Sequence, residues 1–221
     1  MDKPEITAEC VETKYDSRFV KLYDLQYQEG KHYLNASRRS KENLVAIKSE
    51  EEFKVMLPDA VTVALIVKSQ GEYKLLLNYE YRYPAGQFLL SPPAGLIDPE
   101  DVQKENPLLE TARREVLEET GITLGEQDAL FVVNPLLFSS PGMTDESNAL
   151  VCAISNLEDD VSVNQNGAVG TECFDGYRLV DVEQAEEILR NGRDEKGVFY
   201  SVYTWAVLMY YVSEKWRNSD I

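Results

Sequence analysis

Three glutamates, Glu115, Glu118 and Glu119, crowd the stretch ETARREVLEETGI at residues 110–122. On a helix, positions i, i+3 and i+4 share a face, and like charges one turn apart repel by roughly a few tenths of a kcal/mol per pair. A divalent cation reverses that sign. Mg2+ takes hard oxygen ligands and is typically held by a few carboxylates together with substrate phosphates. A solvated face in an acidic chain is the bland alternative, and the three residues alone do not decide between the two. Just upstream lies SPPAGLID, where Pro93 and Gly95 could turn the Ala94 carbonyl toward the same cation.

These side chains need a rigid helix to present them. Asn106 is a good N-cap, Pro107 a good first helical residue, and Gly121 can take the left-handed conformation that ends a helix. Leu109, Ala112 and Val116 recur at helical spacing and form its apolar stripe. Strands surround it. Residues 17–39 alternate around Glu29 and Gly30 as a hairpin does; VTVALIVKSQGEYKLLLNYEYRY reads as two strands joined at Gln70–Glu72; GQFLLS, ALFVVNPLLF and NALVCAIS read as three more. KSEEEFK is a short helix or a loop. A second helix is predicted from Val182 to Arg190, and a carboxy-terminal core helix with Val202, Trp205, Ala206, Met209 and Tyr210 on one side. The order predicts an α/β (α+β) fold, a mixed sheet flanked by helices, with a strand-rich amino-terminal subdomain over 1–57 and the main domain over 58–221.

Composition narrows the chemistry. The chain has 221 residues, 43% of them hydrophobic, and a net charge of −17 from 39 acidic and 22 basic residues. That balance argues against nucleic acid or an anionic membrane surface as a partner. Cys10, Cys152 and Cys173 are far apart, so neither a disulfide framework nor a thiolate zinc site is expected. A single histidine, His32, leaves little room for histidine-based zinc or triad chemistry. The amino terminus lacks the pattern of a secretory signal or transit peptide, and no apolar run is long enough to span a bilayer. A cytoplasmic protein working through carboxylates is the expectation.

The segment from Gly95 to Ile122 resembles the Nudix box, G-x5-E-x7-R-E-U-x-E-E-x-G-U with U apolar. Its second half matches at Arg114, Glu115, Val116, Glu118, Glu119, Gly121 and Ile122. Its first half carries about five extra residues, so the place of the first glutamate falls to Asp101 counting forward and to Asn106 counting back, with Glu105 adjacent. Loops absorb such insertions at small entropic cost.

Within that family the chain is most similar to the ADP-ribose pyrophosphatases, through YEYRYPAGQFLLSPPAGLID, SSPGMTDES and the strand-rich amino terminus. The resemblance implies that Glu115, Glu119 and the Ala94 carbonyl hold Mg2+, with Mn2+ as a substitute, and that Glu118 assists. Arg114 would orient the glutamates by a salt bridge. Glu146, or the adjacent Asp145, would be the catalytic base. Arg82 would contact phosphate, while Tyr33 would stack on adenine with Arg38 nearby. Ser91 stands where many members have glutamate. The implied reaction is hydrolysis of ADP-ribose, or a similar nucleoside diphosphate derivative, to AMP and ribose 5-phosphate by a homodimer. Another nucleotide sugar or dinucleotide as substrate, and a non-catalytic nucleotide sensor, stay open.

Overall fold

A computed structural model describes residues 4–156, 163–167 and 170–218. The chain divides into two compact units, one formed by residues 1–59 with 136–148 and the other by 60–135 with 149–221.

In the first unit, β1 (Val11–Asp16), β2 (Lys21–Gln28) and β3 (Lys31–Ser37) form an antiparallel sheet in that order. The β2–β3 turn falls at Glu29–Gly30, as the alternation predicts, and Gly30 has φ +68°, a conformation open to glycine at no steric cost. Val11, Tyr23, Leu25 and Leu44 form a small core. KSEEEFK resolves as the helix α1 (Glu50–Val55), closed by a capping box in which Glu52 N–H donates to Ser49 Oγ and Ser49 N–H to Glu52 Oε2.

The second unit is built on a seven-stranded mixed sheet whose main path is β10-β5-β4-β9-β8. Its strands are β4 (Ala60–Ser69), β5 (Glu72–Arg82), β6 (Gln87–Ser91), β7 (Ala94–Leu96), β8 (Ala129–Phe138), β9 (Ser147–Asn156) and β10 (Phe174–Val180). Among the described residues three α-helices accompany it: α2 (Pro107–Thr120), α3 (Val182–Asn191) and α4 (Val202–Val212). The run VTVALIV in β4 is buried at odd and even positions alike, the signature of a strand covered on both faces. Val61, Val63, Leu65 and Val67 meet Ala112 and Val116 of α2 in one core cluster, and α4 also packs on β4. A mixed sheet flanked by helices is therefore the fold, as expected.

The apolar side assigned to the carboxy-terminal helix needs correction. Thr204, Val207, Leu208 and Tyr211 of α4 are buried, whereas Val202, Trp205 and Met209 are exposed. Residues on both sides of VYTWAVLMYYV are apolar, so period alone does not choose the inner face; two hydrogen bonds do. Thr204 Oγ1 donates to the Leu90 carbonyl at 2.8 Å, and the Tyr211 hydroxyl donates to the Tyr73 carbonyl at 2.7 Å. Among the described residues no helix is long and apolar enough to cross a membrane.

Candidate active site

The helix α2 begins after Asn106 with Pro107 in its first turn, and ends at Gly121, whose φ of +71° and N–H bond to Leu117 O at 2.9 Å close it. With Ala112 and Val116 turned into the core, Glu115 and Glu119 are carried to the buried side, 4% and 2% exposed, and Glu118 stays at its margin.

Arg114 organises the exposed half of this face. Its Nη1 donates to Glu115 Oε1 at 2.7 Å and to Glu118 Oε2 at 3.0 Å. The other edge of the guanidinium reaches Asp101 Oδ2 from Nε and Nη2, at 3.2 and 3.1 Å, and Nη2 also donates to the Leu96 carbonyl at 2.8 Å. Of the three candidates for the displaced acidic position, Asp101 is therefore the one that pairs with Arg114. Thr111 Oγ1 donates to the same Asp101 oxygen, and Asn106 caps the helix through its backbone, accepting from Leu109 and Glu110 N–H.

Glu119 is held from elsewhere. Asn78 Nδ2 on β5 donates to its Oε2 at 2.8 Å, and the Ala94 amide donates to Oε1 at 3.2 Å. Ala94 is fixed in turn by β7, which pairs with β4 through Ala60–Leu96, Val61–Gly95 and Thr62–Ala94. Gly95 leaves the space into which Glu115 folds, since a Cβ there would sit 1.9 Å from Glu115 Oε1.

Burial pushes the Glu115 carboxyl up to about 7, against the pull of the Arg114 charge. Glu119 is pushed well above the usual carboxylate range by burial first and then by the charge of Glu80, with the Ala94 amide opposing. Glu80, on β5, is itself raised by burial and lowered by Arg82, whose Nη2 lies 2.6 Å from its Oε2.

A cleft of about 380 Å³ is lined among others by Glu80, Arg82, Ala94, Arg114, Glu115 and Glu118; Glu119 is not among its lining residues. Asp98 and Glu172 line it too. Among the described residues no three His, Cys, Asp or Glu side chains form a ready-built metal cage. The donor set nonetheless fits a hard divalent cation: it consists of carboxylate oxygens, two of them on a rigid helix, burdened by burial and by mutual repulsion, with Gly95 keeping the space beside Glu115 clear.

The remaining sequence-assigned residues belong to the first unit. Arg38 Nε lies 3.2 Å from Glu146 Oε1, and the Tyr33 hydroxyl donates to the Gly142 carbonyl at 2.7 Å, so residues more than a hundred positions apart are joined there. Asp145 is differently engaged, accepting from the Val45 N–H at 3.2 Å.

Sequence reasoning passed over Asn78, Glu80, Asp98 and Glu172. Asn78 and Glu80 sit in a strand buried without a break from Leu75 to Glu80; two polar residues in that apolar run were the available signal.

The chain has relatives of known family. A Caenorhabditis elegans protein named "Putative nudix hydrolase 2" is 32% identical over 127 residues, 58% of this chain and 52% of that protein. Nudix hydrolase 14, chloroplastic, of Arabidopsis thaliana is 35% identical over 94 residues, 39% of this chain and 29% of the other. The chain thus spans about half or less of the length of these curated relatives. A solved C. elegans Ap4A hydrolase superposes with a TM-score of 0.45 at 23% identity, covering 72% of this chain and 97% of that one. The model of the NUDIX domain matches residues 56–201, which include the carboxylate helix and the whole cleft, and the chain belongs to the Nudix family.

Proposed function

We propose that the protein hydrolyses the diphosphate bond of a nucleoside diphosphate derivative, ADP-ribose first among them, releasing AMP and ribose 5-phosphate. The observation that carries the reading is the cleft in which the Arg82 guanidinium and the carboxylates of Glu115 and Glu118 line one wall system. A forked guanidinium suits a diphosphate, and carboxylates on a helix suit the divalent cation that family members generally use.

Glu115, Glu119 and Ala94 would hold Mg2+, or Mn2+ in its place, with Glu118 assisting. When bound, the cation neutralises diphosphate charge and makes water a better nucleophile. Arg82 binds and orients the diphosphate. Arg114 keeps Glu115 and Glu118 in place by tying them to Asp101 and Leu96. Water attacks one phosphorus, the bond from that phosphorus to the bridging oxygen breaks, and the second phosphate leaves with that oxygen.

The resemblance assigns the proton of that water to Glu146, a residue of the first unit. Its side chain is 37% exposed and held by Arg38, whereas Asp145 is spent on the Val45 amide; this favours Glu146 as base. Such a base contributes on the order of 100- to 10,000-fold. Tyr33 and Arg38 serve the base and sugar of the substrate. Tyr15, Phe19, Val20 and Leu34 are exposed in the first unit and support a homodimer formed through it.

The test is product analysis with a panel of ADP-ribose, ADP-glucose, GDP-mannose and NADH in Mg2+. AMP and ribose 5-phosphate from ADP-ribose at the highest kcat/KM supports the reading. Faster turnover of another panel member reassigns the substrate, and binding of ADP-ribose without turnover of any member makes the protein a sensor.

A further inference from the structure

Glu80 carries a burden that Arg82 does not explain. Arg82 is 45% exposed at its side chain and solvated without help, so it has little need of a counterion that is itself 8% exposed. A surface ion pair contributes little, whereas taking a carboxylate out of water is costly. The position of Glu80 points elsewhere.

Residues 78 and 80 point to the same face of β5, because strand side chains alternate. Asn78 on that face touches Glu119 at 2.8 Å. Glu80 therefore stands one strand repeat, about 7 Å, beyond a residue in contact with the helix. Its side chain lines the cleft with Glu115 and Glu118. Across the strands the register sets Asn78 opposite Ser91 and Glu80 opposite Leu89, and the Ser91 side chain hydrogen-bonds Glu80. Position 91 thus faces the same place from the neighbouring strand.

We infer that Glu80 is a ligand of the divalent cation: a strand-borne carboxylate that completes, from the sheet, the set offered by Glu115 and Glu119 from the helix. The inference rests on the reading that this cleft binds such a cation. Glu80 thereby has two tasks, holding Arg82 beside the cation and donating an oxygen to it. Its place can be exchanged with that of Ser91, because both positions face the same spot.

The experiment is a titration with Mn2+ alone, following free Mn2+ by electron paramagnetic resonance, on the wild type, Glu80→Gln, Ser91→Glu and the double variant Glu80→Gln/Ser91→Glu, with circular dichroism as the check on folding. The expected result is at least a ~10-fold weakening in Glu80→Gln and recovery to within ~3-fold of wild type in the double variant. Wild-type affinity in Glu80→Gln overturns the inference and leaves Glu80 as the counterion of Arg82, and a folded double variant that does not recover overturns it equally. Were Glu80→Gln unfolded, the double variant alone would decide by the same criterion. A wild type that binds no Mn2+ at all overturns the cation reading itself, and this inference with it.

Discussion

Arg114 grips Asp101 and Glu115 at once, Nε and Nη2 at 3.2 and 3.1 Å from one Asp101 oxygen and Nη1 at 2.7 Å from Glu115 Oε1. The loop that precedes the helix is thereby tied to the carboxylate that lines the cleft. Replacing Asp101 by alanine removes the acceptor of the buried Thr111 hydroxyl and two of the hydrogen bonds of Arg114, which keeps Glu115, Glu118 and Leu96, and unmet buried hydrogen bonds cost about 1–3 kcal/mol. Asp101→Ala is expected to lose that much stability in urea unfolding, while Glu105→Ala, at an exposed position, stays within about 0.5 kcal/mol of wild type.

Gly95 is a steric requirement. Because a Cβ would fall 1.9 Å from Glu115 Oε1, Gly95→Ala must expel that carboxylate from its place. Mg2+ stabilises the wild type by mass action if it binds the folded state; in Gly95→Ala the Mg2+-induced rise in melting temperature is expected to shrink or vanish, as differential scanning fluorimetry with and without Mg2+ will register.

Chelator-treated protein has a defined pH response. Glu115 is raised to about 7 from an ordinary 4.5, and burial raises Glu119 well above that ordinary value too. A carboxyl with a raised folded pKa binds its proton more tightly folded than unfolded, so its contribution is fully present below about 4.5 and is lost as pH rises through about 7. Unfolding free energy in EDTA should therefore fall across that window, with a slope of at most about 1.4 kcal/mol per pH unit for each such group. Glu115→Gln should flatten the slope. An equally steep slope in that variant would remove Glu115 as its source.

The cysteines separate by burial. Cys152 is wholly buried and its thiol is pushed up to about 12, while Cys173 is exposed. Thiolate is the reactive form. Native protein should therefore give up Cys173 readily to a thiol reagent and Cys152 only after denaturant, as peptide mapping of the labelled sites will show.

The carboxy-terminal helix separates by face. Leu208→Ala removes a fully buried side chain and is expected to cost about 2–5 kcal/mol, whereas Trp205→Ser, at a residue 47% exposed, should change stability by about 0.5 kcal/mol or less. Denaturant midpoints of the two variants test the corrected assignment.

Legibility followed the range of each signal. The helix α2, its start after Asn106, its stop at Gly121 and the i, i+4 placement of Glu115 and Glu119 were readable, because spacing along a helix is local; the side-chain cap expected of Asn106 is not made. The β2–β3 turn and both flanks of Gln70–Gly71 were readable for the same reason. Edge strand β1 was not, since Val11 is its one buried residue, and β7 is too short to show a period. The partner of Arg114 stayed open because an insertion decouples chain distance from spatial distance. Asn78 and Glu80 escaped notice because what makes them special, Glu119 some forty residues on, is supplied by pairing of sheet and helix and by no neighbour in sequence. The inner face of α4 was misread because its sequence is apolar on both sides.

The central claim is that the carboxylate helix does metal-dependent chemistry on a diphosphate. Its most direct test follows AMP released from ADP-ribose in Mg2+, wild type beside Glu119→Gln. Glutamine keeps the shape of a side chain 2% exposed while removing its charge. Steady AMP release by the wild type and a loss of at least ~100-fold in the folded variant are expected; equal rates in the two proteins would contradict a role for Glu119 in the chemistry.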